Sequence, residues 1–119
     1  MARVLVVDDD PDTAETFAAL LSHWGQEARA CYSGEQALAS AASFRPDGAL
    51  IDLHMRGLGG AALARALGPG PWLVALTGLH PALVRPGDAA AFDRVLYKPV
   101  EPAALRAVVE GLAGGQQQP

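Results

Sequence analysis

Apolar and polar positions alternate in blocks along this chain, and each block has the length and spacing of a secondary-structure element. Residues 3–7 read RVLVV, a short and almost continuous apolar run of the kind found in buried parallel strands. Apolar residues then recur three or four positions apart, at Ala14, Phe17, Ala18 and Leu21. That spacing predicts a helix with one buried face, opened by Asp10-Pro11 and ended by Gly25.

The same reading continues to residue 112 and predicts five strands and five helices. The predicted strands are residues 3–7, 27–31, 48–51, 72–76 and 95–97. The predicted helices are residues 11–24, 33 to about 43, 61–67, 79–92 and 102 to about 112. Ser33 and Gln36 read as a capping box. The helix within 79–92 is the weakest, because Pro81, Pro86 and Gly87 interrupt it.

This strict alternation of strands and helices predicts an α/β fold with three layers. We expect a doubly wound (βα)5 flavodoxin-like domain, with right-handed crossovers and a five-stranded parallel sheet of order 2-1-3-4-5. Its ligand crevice should lie at the carboxyl ends of the strands, where the strand order reverses. The domain is expected to span residues 1–113, and the polar tail 114–119 (GGQQQP) to be disordered.

Composition narrows the range of partners. The chain has 119 residues, half of them hydrophobic, with a net charge of −4 and a pI near 5.2. That charge argues against nucleic acid or an anionic membrane as the main partner.

No apolar run approaches the ~20 residues of a bilayer span, and acidic residues interrupt any signal-peptide core near the start. With one cysteine, Cys31, no internal disulfide is possible, and a cytoplasmic protein with a buried, inert thiol is expected.

The polar residues that follow the strands are chemically complementary. They are Asp8, Asp9 and Asp10 after the first strand, Asp52 after the third, Thr77 after the fourth and Lys98, the chain's single lysine, after the fifth. Each has an ordinary structural role available: Asp10 as a helix cap, the others as turn residues. In the predicted fold, however, all of them lie at one edge of the sheet, which favours a joint function.

Crowded carboxylates repel one another unless a cation neutralises them. Mg²⁺ is suited to carboxylates that share it with waters and a phosphoryl oxygen. One carboxylate can then act as a nucleophile toward phosphorus, while an ammonium group and a hydroxyl stabilise the transferring group. The strand ends therefore predict phosphoryl transfer to an aspartate.

The motifs that carry these residues resemble the response regulator receiver domain of two-component signalling, the CheY-like family. The segment VLVVDDDPD at 4–12 resembles the family's first strand and acidic pair, and LIDLHM at 50–55 its phosphoacceptor segment. VALTG at 74–78 and LYKPV at 96–100 resemble the segments with the hydroxyl and the lysine. The resemblance runs from Val4 to about Leu112 in the family's order and near its spacing.

The resemblance implies a role for each site residue. Asp52 would be the phosphoacceptor, and Thr77 and Lys98 would contact the phosphoryl oxygens. Mg²⁺ or Mn²⁺ would be bound by Asp9, Asp52 and the backbone carbonyl of His54, with Asp8 acting mainly through a metal-bound water. The donor would be a sensor histidine kinase or a histidine phosphotransfer protein. The residues of this sequence include no DNA-binding or catalytic output segment, so we expect the signal to pass to a downstream protein by contact, while the sequence leaves open whether the domain stands alone or belongs to a longer protein. The chain would assist only its own phosphorylation and dephosphorylation, without turnover as an enzyme.

Three positions depart from the family pattern. Arg56 stands where proline usually follows the methionine, and neighbouring Gly57, Gly59 and Gly60 suggest a flexible loop. Such a loop would let Arg56 swing toward a phosphoryl group or extend into solvent, and we expect the side chain to be solvated. The fourth helix looks short. Val95 occupies the place of the usual aromatic switch residue, and Tyr97 should share its strand face.

Three other functions remain open from the sequence. A metal-dependent phosphohydrolase of the haloacid dehalogenase type also uses an aspartyl phosphate, and VVDDDPDT superficially resembles its signature. Such enzymes usually need a longer chain to supply a cap and further acidic ligands. A degenerate receiver could act only as a binding scaffold, although the four principal site residues are intact. Flavin binding is the weakest alternative, since no hydroxyl- and glycine-rich phosphate loop follows the first strand.

Overall fold

The strands form one parallel sheet in the order β2-β1-β3-β4-β5, as the sequence predicts. The computed structural model describes residues 1–113, so the predicted disorder of 114–119 falls outside the described residues. The strands are β1 (Arg3–Val7), β2 (Glu27–Cys31), β3 (Gly48–Asp52), β4 (Trp72–Thr77) and β5 (Arg94–Tyr97). Between β1 and β3 the chain changes the direction in which it adds strands, so the switch point lies there.

Helices connect successive strands and cover both faces of the sheet. They are α1 (Pro11–His23), α2 (Gly34–Phe44), α3 (Gly60–Leu67), α4 (Pro86–Ala89) and α5 (Pro102–Ala113). Their bounds lie close to the sequence predictions for every helix except the fourth.

The ends of the first two helices show how local sequence sets these bounds. Gly25 has a φ of 88°, a left-handed conformation that suits glycine, and the chain leaves α1 there. Ser33 caps α2 by accepting a hydrogen bond from the Gln36 backbone N–H at 3.0 Å. In a capping box the Gln36 side chain would accept a hydrogen bond from the Ser33 backbone N–H. Here it accepts from the N–H of the preceding residue, Tyr32, at 2.7 Å.

The helix predicted over 79–92 is reduced to two short pieces. A 3-10 turn occupies Pro81–Leu83, and α4 is only four residues long. A proline begins each piece, where its fixed φ is favourable and its missing N–H costs nothing. Neither piece buries a residue. The Arg65 guanidinium, on α3, donates a 2.9 Å hydrogen bond to the carbonyl of Gly87 in α4.

The core consists of two apolar clusters, one on each face of the sheet. Alternate residues of β1 show the division: Val4 and Val6 belong to one cluster, while Leu5 and Val7 belong to the other. The first cluster packs against α1 and α5, and the second against α2 and α3. With both faces covered, β1 and β3 are buried along almost their whole length, and this packed backbone positions the residues at their carboxyl ends.

Candidate functional site

The register of the sheet brings the predicted site residues to one edge. Val7, the last residue of β1, is level with Ile51, and Asp52 is level with Leu76 of β4. Thr77 at the end of β4 is level with Tyr97 of β5, which Lys98 follows. Asp8 and Asp9 therefore lie beside Asp52, because they follow β1 directly.

Asp8 is the most deeply buried carboxylate of the site, at 2% exposure. Its Oδ1 accepts a hydrogen bond from the Asp10 backbone N–H at 2.9 Å, and its Oδ2 lies 3.3 Å from the Lys98 ammonium. The backbone N–H of Asp8 donates to the Cys31 carbonyl at 3.1 Å. These contacts fix both the position of Asp8 and the orientation of its carboxylate.

Asp52 ends the fully buried strand β3 and is itself 9% exposed. Its Oδ1 accepts from the His54 backbone N–H at 3.1 Å, and its Oδ2 lies 3.9 Å from the Lys98 Nζ. Burial raises the pKa of the Asp52 carboxyl, and repulsion from Asp8 and Asp9 acts in the same direction. The His54 hydrogen bond and the Lys98 charge oppose that rise in pKa.

Lys98 contacts two carboxylates that come from different strands. Its Nζ lies within salt-bridge distance of Asp8 and of Asp52, and its side chain is 31% exposed. A single ammonium group thus reduces the repulsion between the two buried carboxylates. The Lys98 backbone N–H donates to the Thr77 carbonyl at 2.7 Å, which ties the lysine to the end of β4.

Thr77 is completely buried, and its hydroxyl oxygen accepts a 3.1 Å hydrogen bond from the Leu79 backbone N–H. The hydroxyl keeps a proton to donate. This contact links the end of β4 to the start of the connection that carries the 3-10 turn and α4.

Asp9 is less buried than Asp8 and Asp52, and it contacts Arg56. The Arg56 Nε and the Arg56 backbone N–H approach the same oxygen, Asp9 Oδ2, at 3.4 and 3.3 Å. The Arg56 side chain is 90% exposed, as the sequence predicts for a solvated arginine. The contact with Asp9 was not predicted, because no local sequence pattern encodes where the loop after β3 passes the end of β1.

Carboxylate oxygens of Asp8, Asp9 and Asp52 lie within 4.8 Å of one another. This donor set fits a hard divalent cation such as Mg²⁺, which prefers oxygen ligands and keeps several waters. The His54 side chain is exposed, and its backbone N–H contacts Asp52.

The two other histidines and the single cysteine lie outside the site. His23 is exposed at the end of α1, and His80 is an exposed residue whose Nδ1 accepts from the Ala82 N–H. Cys31 is buried, as predicted, and burial raises the pKa of its thiol, which disfavours the reactive thiolate.

The glycines after Asp52 have different structural roles. The sequence predicts only that together they make the loop flexible. Gly57 has a φ of 70°, which favours glycine. Gly60 is buried, and a Cβ there would lie 2.5 Å from the Asp52 carbonyl oxygen and 2.8 Å from the Leu53 Cα. Close approach of α3 to the end of β3 therefore requires glycine at position 60.

We expect Gly60→Ala to lower the free energy of unfolding by about 1–3 kcal/mol, as overpacking commonly does. The added methyl would meet backbone atoms, which cannot move aside as a side chain can. Urea denaturation measures the loss. Gly78→Ala is the matched control, because a Cβ at Gly78 meets no atom within 4 Å and Gly78 lies outside the helices. Equal stability of the two variants would show that the contact at Gly60 relaxes freely.

A doubly wound α/β sheet with a carboxylate cluster at its switch point defines a class of proteins that bind or react at the carboxyl ends of their strands. Within that class, this chain belongs to the response regulator receiver domain family, to which residues 4–110 match. It is thus a receiver domain of a two-component response regulator. Among the helices of residues 1–113, none has the length and apolarity needed to cross a membrane.

Known relatives agree with this assignment. The DNA-binding response regulator MtrA of Mycolicibacterium smegmatis is 36% identical over 110 residues, covering 90% of this chain and 48% of MtrA. The chain therefore spans about half the length of that relative. A CheY-like receiver domain from Methylobacillus flagellatus has a TM-score of 0.83 at 29% identity, covering 94% of this chain and 98% of that one. TrrA of Thermotoga maritima, solved in complex with Mg²⁺ and BeF, has a TM-score of 0.83 at 28% identity, covering 94% and 99%.

Proposed function

We propose that this domain accepts a phosphoryl group on Asp52 from a phosphohistidine of a sensor histidine kinase or a histidine phosphotransfer protein. The observation that carries the proposal is the position of Lys98, whose ammonium lies 3.3 Å from Asp8 and 3.9 Å from Asp52. One cation beside an acidic pair and a buried aspartate is what an aspartyl-phosphate site requires. The signal would then pass to a downstream protein through surface contacts.

In the proposed step, a carboxylate oxygen of Asp52 forms a bond to phosphorus as the phosphorus–nitrogen bond of the phosphohistidine breaks. The imidazole leaves with the electron pair of that bond. Lys98 lies where its charge would stabilise the phosphoryl oxygens, and the Thr77 hydroxyl has a proton to donate to one of them. The chain thus promotes its own phosphorylation and dephosphorylation and turns over no separate substrate.

Asp9, Asp52 and the backbone carbonyl of His54 would hold Mg²⁺ or Mn²⁺, with Asp8 acting mainly through a metal-bound water. The metal supplies positive charge that offsets the three carboxylates and the incoming phosphoryl oxygens. Two of the three carboxylates are buried, so their repulsion is poorly screened by solvent and a bound cation would be strongly favoured.

Intact-mass measurement after incubation with acetyl phosphate and Mg²⁺ tests the proposed function. We expect one phosphoryl adduct per chain with Mg²⁺ and none when EDTA removes the metal. An inert wild-type protein would favour the scaffold alternative. Steady release of phosphate from a phosphomonoester would instead favour the phosphohydrolase alternative.

Phosphorylation is expected to change order in residues 79–94. The Thr77 hydroxyl accepts from the Leu79 N–H, so drawing that hydroxyl toward a phosphoryl oxygen would pull on the segment that follows. The part of the segment from residue 81 to 89 is poorly anchored, because neither the 3-10 turn nor α4 contains a buried residue. Val95 stands at the usual switch position, and its branched side chain cannot swing as an aromatic ring does.

Hydrogen exchange with and without beryllofluoride, a phosphoryl mimic, measures this change. Protection should change across 79–94 in the wild type and in Tyr97→Leu alike. Tyr97 is the competing candidate for the switch residue, since it is 39% exposed on the strand that carries Val95. A change that disappears in Tyr97→Leu would assign the switch to that ring instead.

A further inference from the structure

Arg56 lies against the acidic cluster at the position where the chain departs from the family pattern. Its Nε is 3.4 Å from Asp9 Oδ2, and its backbone N–H is 3.3 Å from the same oxygen. One residue therefore supplies two donors to one oxygen of a proposed metal ligand. No other ion pair to Asp9 occurs among the described residues.

The two protein cations at the site divide the three carboxylates between them. Lys98 contacts Asp8 and Asp52, while Arg56 contacts Asp9 alone. Without metal, two positive charges thus face three negative ones. A divalent cation entering the cluster must compete with Arg56 for the charge of Asp9 and for one of its two oxygens.

We propose that Arg56 is a built-in competitor of the divalent cation: its guanidinium pairs with Asp9 in the metal-free domain and leaves Asp9 when the metal binds. The inference rests on the proposed function and deepens it. Arg56 would set the Mg²⁺ concentration at which the domain becomes able to accept a phosphoryl group. It acts through Asp9 and is a positioning residue.

Exposure determines the strength of this competition. The Arg56 side chain is 90% exposed and that of Asp9 is 25% exposed, so solvent screens the pair and makes it weak. A pair of this kind changes the apparent affinity for Mg²⁺ by about two- to fivefold. The same exposure lets Arg56 move into water without disturbing the core, so its release needs no change in the fold.

Calorimetric titration of the full chain with Mg²⁺ tests the proposal. Arg56→Gln should lower the apparent Kd for Mg²⁺ by about two- to fivefold relative to the wild type. Arg106→Gln is the matched control: it removes the same charge from an arginine that is ion-paired at 2.8 Å, but its partner is Glu110 on α5. The control should keep the wild-type Kd. An equal fall in Kd in both variants, or no fall in Arg56→Gln, would overturn the competitor role.

A second measurement follows the arginine itself. The Nε–Hε signal of Arg56 in a nitrogen-15 spectrum, assigned by its loss in Arg56→Gln, should shift as Mg²⁺ is added, with the same midpoint as the calorimetric curve. An Nε signal that stays unchanged at saturating Mg²⁺ contradicts release from Asp9.

Failure of this inference can be told apart from failure of the proposed function. If the wild type and Arg56→Gln bind Mg²⁺ with equal Kd and both form the phosphoryl adduct, the competitor role is wrong and the function stands. If neither protein binds Mg²⁺, both are wrong.

Discussion

Asp52→Asn should abolish the phosphoryl adduct that acetyl phosphate and Mg²⁺ produce in the wild type. Asparagine has nearly the shape of aspartate, but its amide is not a nucleophile toward phosphorus, so the loss should be complete. Intact-mass spectra of the two proteins under identical conditions measure the effect. The wild-type adduct should also be cleaved by hydroxylamine, as acyl phosphates are.

Asp12→Asn is the control for this experiment. Asp12 lies in the first turn of α1, four residues after Asp8, and is exposed. Its substitution removes one carboxylate near the same end of the sheet but outside the cluster, and the adduct should persist. An adduct retained by Asp52→Asn would show that another residue is the acceptor.

The fold of Asp52→Asn can be checked by its stability, which also has a predicted pH dependence. Burial raises the pKa of Asp52 in the folded state, so the folded protein binds this proton more tightly than the unfolded chain does. The contribution of the protonated Asp52 carboxyl to the free energy of unfolding is fully present at pH values below the pKa of Asp52 in the unfolded chain. It is lost as the pH rises through the higher pKa of Asp52 in the folded protein. Asparagine is uncharged like the protonated carboxyl. Without metal, Asp52→Asn should therefore have a higher melting temperature than the wild type at neutral pH, and this difference should disappear in acid.

Mg²⁺ should raise the melting temperature of the wild type, and Asp9→Ala should remove that response. A ligand that binds only the folded state stabilises it by about 2.7 kcal/mol at a hundredfold excess over Kd, which is on the order of 10 °C for a domain of this size. Asp9 is one of three carboxylates that converge within 4.8 Å. Differential scanning calorimetry with MgCl₂, and with NaCl at equal ionic strength, measures the specific shift.

Asp9→Ala should remain folded without metal. Asp9 is the most exposed of the three carboxylates, and the contacts found for its side chain come from one residue, the exposed Arg56. Removing it also relieves repulsion within the cluster. If the variant keeps the wild-type response to Mg²⁺, the metal binds elsewhere. Asp12→Asn serves again as the control and should respond as the wild type does.

Much of this fold can be predicted from the sequence because its signals are local. The apolar runs of β1 and β3 predict strands buried on both faces, and both are found there. Gly25 and Ser33 bound their helices through short-range backbone geometry. The prolines in 79–92 predict that this helix is weak, but they do not predict its reduction to α4 and a 3-10 turn. How much of the segment becomes helical depends on its packing against the core, which local helix propensity does not describe.

The convergence of the site residues was also predictable, for a topological reason. In a parallel sheet the carboxyl ends of all strands lie at one edge, so residues that follow neighbouring strands come together whatever their separation in the chain. Asp8, Asp52 and Lys98 meet in this way, with Lys98 ninety positions from Asp8. Their pairing as one ammonium between two carboxylates agrees with the chemistry that their residue types suggest.

The contacts of the loop after Asp52 were decided only by the tertiary structure. Sequence composition suggested a flexible glycine loop with a solvated arginine, whereas Gly60 packs against the backbone of Asp52 and Leu53, and Arg56 pairs with Asp9. Both contacts depend on how closely α3 approaches β3 and where the loop passes β1, distances that no local pattern encodes. The strand periodicity of the sequence thus determined which residues share the site, and packing between distant segments determined what each of them touches.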